Sequence, residues 1–254
     1  MQPNLGFALL LSFLAGISTL FGSLIGLQVR NCTPRLMTLT MGFSGGVMIL
    51  VSFGELLPTS INVLGYGPAL VAFFVGMLAM FLIDILIPHA YGGECNMDEA
   101  QMLDQRLMKA GVFTAVGIAI HNFPEGIASF AGALHDPSLG VAIAVAVAIH
   151  NIPEGLAVSI PVLAATKSRK KAFLYSAIPG LSEPAGAGLC ALLLLPVLND
   201  SVLAAALAAV AGIMVFISLD ELVPISRAYG EEHLSIVGII AGMMLMAFSL
   251  WILQ

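Results

Sequence analysis

The chain has 254 residues, 59% of them hydrophobic and only 9% charged, with a mean hydropathy of +1.02. That leaves too little polar surface for a globular domain in water, and a formal net charge of −6 lacks the basic footprint that nucleic-acid binding requires. The composition is that of an integral membrane protein.

Apolar runs of roughly 20 residues, the length that crosses a bilayer core, fall at about 5–28, 36–57, 67–88, 110–133, 138–161, 170–195, 201–225 and 233–252. The expected fold is all-α: one integral membrane domain over residues 1–254, with a transmembrane helix in each of these runs. The first run reads as a helix and not as a cleaved leader, because residues 1–4 carry no basic residue. No soluble domain of useful size remains.

The Lys and Arg residues set the orientation. Arg30 and Arg35 lie in the first gap between runs, Arg106 and Lys109 in the third, Lys167, Arg169, Lys170 and Lys171 in the fifth, and Arg227 in the seventh. All fall on one side, which the positive-inside rule makes cytoplasmic, so both termini are expected outside the cell membrane. Cys32, Cys95 and Cys190 offer no pair placed for an exported disulfide.

The chain repeats internally. Residues 116–129, VGIAIHNFPEGIAS, align with 145–158, VAVAIHNIPEGLAV, and residues 45–60, GGVMILVSFGELLPTS, align with 211–226, AGIMVFISLDELVPIS. A weaker echo joins Ala15-Gly16-Ile17-Ser18 to Pro179-Gly180-Leu181-Ser182. The plan implied is three helices, a central pair and three more. Because the second and seventh runs cross in opposite directions, the outer triplets form an inverted repeat, as in many secondary transporters.

The duplicated hexapeptides, His121-Asn122-Phe123-Pro124-Glu125-Gly126 and His150-Asn151-Ile152-Pro153-Glu154-Gly155, sit where polar groups are expensive. On a helix, His and the Glu four positions later share a face, with Asn at its edge. Two such helices side by side present imidazole, amide and carboxylate groups of the kinds that zinc, ferrous iron or manganese accept. Pro124 and Pro153 free the carbonyls of Ile120 and Ile149 and bend each helix beside these groups. Glu183, in Ser182-Glu183-Pro184, is a further isolated carboxylate within an apolar run and reads as a ligand.

With its paired His-Asn-x-Pro-Glu-Gly motifs, the sequence resembles the ZIP (Zrt- and Irt-like protein) family of divalent metal transporters over essentially its whole length. The resemblance implies a binuclear midplane site. It assigns His121, Glu125, His150 and Glu154 to one metal position, and Asn122, Asn151 and the same Glu pair, with Glu183, to the adjacent one. The implied substrates are Zn²⁺ and also Fe²⁺, Mn²⁺, Co²⁺ and Cd²⁺, moved into the cytoplasm as cargo and not held as cofactors. A homodimer is a further implication.

Glu55 and Glu221 are repeat-related and lie near opposite membrane faces, so Glu55 reads as marking an outer vestibule and Asp220 with Glu221 an inner exit. Asp84 and His89 are placed to take metal from that exit. Helix-end capping is the competing reading for Glu55, Asp220 and Glu221, and a solvated loop is the preferred account of 94–104. His135 and His233 read as loop residues without a role.

Other function classes fit less well. An intramembrane metalloprotease needs His-Glu-x-x-His, and the order here is His-x-x-x-Glu. There is no G-x-x-x-x-G-K-[ST] loop for a nucleotide. A metal sensor without transport and a selective metal channel stay as alternatives to a carrier.

Overall fold

The computed structural model describes residues 4–28, 33–86, 99–135, 137–194, 199–228 and 230–253. Some side chains within the helices, that of His150 among them, lie outside the description. Among the described residues the structure is helical, without strands. The elements are α1 (Leu5–Gly26), α2 (Pro34–Leu64), α3 (Tyr66–Leu86), α4 (Glu99–His135), α5 (Pro137–Thr166), α6 (Arg169–Leu189, continued by a wider turn at Cys190–Leu194), α7 (Asp200–Arg227) and α8 (Glu232–Leu253).

Side-chain caps set several helix starts. Asn4, Thr33, Ser168 and Asn199 each accept a hydrogen bond from a backbone N–H of the first turn, satisfying a donor that has no helical partner. Among the described residues, six helices are long and apolar enough to cross a membrane: Leu5–Gly26, Pro34–Leu64, Tyr66–Ile85, Ile143–Thr166, Asp200–Arg227 and Glu232–Ile252. Leu14, Phe21, Phe74, Leu78, Phe248 and Trp251 are exposed on them, a surface suited to lipid.

Three expectations need correction. Residues 99–104 are not loop but the first turns of α4: Glu99-Ala100-Gln101-Met102-Leu103 are good helix formers, and a search for apolar runs sees only a helix's apolar part. His135 is the last residue of α4 and His233 the second of α8. His89, Cys32 and Cys95 lie outside the described residues.

The helices pack as two groups. In one, α1, α4, α5 and α6 lie against one another; in the other, α2 pairs with α8 and α3 with α7. A thioether-rich core of Met41, Met48, Met80, Met214 and Met246 ties the second group together, and Ala157 and Ile160 of α5 reach into it. The groups also meet where α2 touches α5 and α4 touches α7, and there the Ser44 hydroxyl donates to the Pro153 carbonyl at 2.9 Å.

The repeat between α2 and α7 has a structural counterpart. Each helix widens to a π turn at matching residues, Ser52–Leu56 and Ser218–Leu222, just before Pro58 and Pro224. Proline has no N–H and crowds the carbonyl one turn back, and one extra residue in the turn accommodates both defects. The serine hydroxyls that open the turns bond alike, Ser52 to Met48 O and Ser218 to Met214 O, each at 2.7 Å.

Backbone contact at Gly76 and Gly212 seats α3 on α7: a Cβ at either would lie 2.0 Å from a carbonyl oxygen, of Ala209 or Phe73. Gly76→Leu is therefore expected to cost about 1–3 kcal/mol, seen as a lowered melting temperature of the purified protein in detergent. Gly67→Leu, at a position with open space around it, is expected to leave that temperature unchanged.

Candidate metal site

The motif helices α4 and α5 pass through Pro124 and Pro153 without a break. Their polar side chains turn inward: His121, Asn122, Asn151 and Glu154 are fully buried, as is Glu183 of α6, and Glu125, one turn after His121, is 2% exposed. His121 and Glu154 join the two motifs directly, Nε2 to Oε1, at 2.9 Å. The Asn151 amide nitrogen donates to a Glu183 carboxylate oxygen, which adds α6. The backbone at His150 lies one turn before Glu154 on α5.

The asparagines show how such a site is oriented. Asn122 Nδ2 donates to Pro179 O at 3.3 Å, and Asn151 Nδ2 to Ala15 O at 3.0 Å. A carbonyl only accepts, so each amide nitrogen faces a neighbouring backbone and each amide oxygen faces away from it. Asn122 Oδ1, Asn151 Oδ1 and Glu154 Oε2 are buried with no hydrogen-bond partner among the described residues. Buried oxygens left so are costly, and a cation is the ligand that satisfies several at once.

The two acceptor carbonyls belong to the tetrapeptides whose likeness is visible in the sequence. Ala15 O also accepts from Ser18 Oγ at 2.5 Å, and Pro179 O from Ser182 Oγ at 2.7 Å. Gly126 and Gly155, which close the motifs, let the backbones touch. A Cβ at Gly126 would stand 2.0 Å from Glu183 O, and one at Gly155 2.0 Å from Thr19 O. Ser12 of α1 completes this packing, its hydroxyl donating to Gly126 O at 3.3 Å and Glu183 O at 3.4 Å. Nothing in the sequence singles out Ser12, since a lone serine in an apolar helix carries no pattern.

A second polar group lies elsewhere. Carboxylate oxygens of Asp84 on α3 and of Asp220 and Glu221 on α7 all lie within 4.8 Å of one another. The packing of α3 on α7 brings these oxygens together. Glu55, half-buried in the α2 π turn, does not belong to this group.

Comparison with known proteins agrees with the motifs. The profile of the family described as ZIP Zinc transporter matches residues 94–250. A protein named zinc transporter ZupT from Chlorobium phaeovibrioides is 52% identical, over 97% of this chain and 97% of its own. Proteins of the same name from Oceanobacillus iheyensis and Streptococcus mutans are 48% and 46% identical, over 99% and 98% of this chain and 100% and 98% of theirs.

The His121–Glu154 contact is testable in metal-free protein. His121→Ala and Glu154→Ala are each expected to destabilise, and the double variant by less than their sum. Denaturant unfolding should give a coupling of about 1.5–3 kcal/mol. Additive losses would contradict the contact.

Proposed function

This chain belongs to the ZIP zinc transporter family, and from that premise we propose that it is a secondary transporter carrying divalent transition metal ions into the cytoplasm. Zn²⁺ is the principal cargo, with Fe²⁺, Mn²⁺, Co²⁺ and Cd²⁺ as further substrates. The ions bind at a binuclear site in which His121, Glu125, His150 and Glu154 hold one position. Asn122, Asn151, Glu183 and the same Glu pair hold the other. The observation that carries this reading is the pair of asparagines tied by their nitrogens to Pro179 O and Ala15 O, with the opposite amide oxygens buried and without hydrogen bonds among the described residues. Oxygens so held are preorganised for a cation.

In this reading all eight helices span the membrane as an inverted repeat, with both termini outside. Alternating access is a shift of the group holding α4 and α5 against the group holding α2 and α7. The grouping of the helices supports that division, and the Ser44–Pro153 contact is one that such a shift breaks. Glu55 stands at the outer entrance. Asp84, Asp220 and Glu221, with their oxygens together, receive the ion at the inner side, and His89 takes it on from that exit. The chain acts as a homodimer. A divalent ion gains roughly 4.6 kcal/mol per 100 mV of inside-negative potential, so no nucleotide is needed.

Uptake of ⁶⁵Zn²⁺ into proteoliposomes tests this. Saturable uptake, increased by an inside-negative potential, is expected for the wild type. A loss of about 100-fold or more, beyond what outer-shell changes give, is expected for Glu125→Ala and Glu154→Ala in folded protein. Unchanged uptake in both variants would reject the site, and tight zinc binding without uptake by the wild type would favour a sensor.

A further inference from the structure

The surroundings of Glu183 on α6 are reproduced around Thr19 on α1. Pro179 O and Ala15 O, four residues before Glu183 and Thr19, each accept an asparagine amide and a serine hydroxyl. Glu183 O lies against Gly126 and Thr19 O against Gly155, each 2.0 Å from where the glycine's Cβ would be. Three residues further along, Gly186 lies against Phe123 O and Gly22 against Ile152 O, again at 2.0 Å. Phe123 and Ile152 are the same position of the two hexapeptides. At these contacts helix α1 therefore meets α5 as α6 meets α4, with Thr19 in the place of Glu183.

Thr19 is fully buried, and its Oγ1 has no hydrogen-bond partner among the described residues. A threonine in a helix commonly turns its hydroxyl to the carbonyl four residues back. Here that carbonyl, Ala15 O, already accepts from Ser18 and Asn151.

We infer that Thr19 is a further residue of the metal site, supplying a neutral hydroxyl where the matching position supplies the Glu183 carboxylate. The inference rests on the site reading above and deepens it. The hydroxyl contacts the ion directly or holds one of its waters, since it offers both a lone pair and a proton. The difference between Thr19 and Glu183 makes two otherwise matched halves unequal in charge. Negative charge is concentrated toward α6, and the side toward α1 binds more weakly, which favours release.

The test measures Zn²⁺ binding and proteoliposome uptake for full-length wild type, Thr19→Val, Thr19→Ala, Thr19→Ser, Thr19→Glu and Glu125→Ala. Thr19→Val keeps the side-chain shape and removes the hydroxyl. It should weaken Zn²⁺ binding and raise KM about tenfold, the factor for one lost hydrogen-bond-strength contact, whereas Thr19→Ser stays near wild type. Thr19→Glu should bind Zn²⁺ more tightly and turn over more slowly. If the valine variant does not reach the membrane, Thr19→Ala reports the same loss. Wild-type binding and KM in the variant lacking the hydroxyl would overturn the inference, as would equal losses in the serine variant. Wild-type behaviour of Glu125→Ala would instead overturn the site reading on which it rests.

Discussion

Glu125, Glu154 and Glu183 are held within one group of helices, each at most 2% exposed, and like charges in an apolar interior repel strongly unless a cation or a donor stands among them. Much of the surrounding architecture answers that constraint. His121 meets Glu154, and the Asn151 amide meets Glu183. The remaining amide hydrogens go to backbone carbonyls of α1 and α6, so each amide oxygen faces away from the backbone that holds its nitrogen. Asn122 Oδ1, Asn151 Oδ1 and Glu154 Oε2 are left buried with no hydrogen-bond partner among the described residues, a capacity that a divalent ion would satisfy.

Holding such a set requires helices that approach more closely than side chains normally allow. Gly126 and Gly155 follow the motif glutamates directly, and each lies on the backbone of the helix opposite, at Glu183 and Thr19. The same residues that shape the site thus build the fold, which links packing to function at one point in space. Outside this group, α2 and α7 carry matched π turns before Pro58 and Pro224. Those turns set Glu55, Asp220 and Glu221 on widened helix segments of the kind often found at functional positions.

The parts legible in the sequence were those written as periodicity or repetition. The hexapeptides on α4 and α5 announce buried polar groups at helical spacing, and the structure buries His121, Asn122, Glu125, Asn151 and Glu154. The tetrapeptides at Ala15 and Pro179 looked like a faint echo, yet they prove to be the two places where asparagine amides dock. What the sequence did not reveal depends on distance across helices. The bridging role of Ser12 and the Ser44 contact with Pro153 arise from which helices touch, and no local pattern encodes that. The polar start of α4 reads as loop by hydropathy, which follows burial, whereas helix formation follows backbone preference as well.

The central claim is that the two hexapeptides build one shared site in which the glutamate pair bridges both metal positions. The most direct measurement is the number of Zn²⁺ ions bound per chain by purified full-length protein, compared with Glu125→Ala and Glu154→Ala taken singly. A shared site predicts two ions for the wild type and loss of both from either variant. Retention of one tightly bound ion in each single variant would mean that the motifs bind metal independently and would contradict the account.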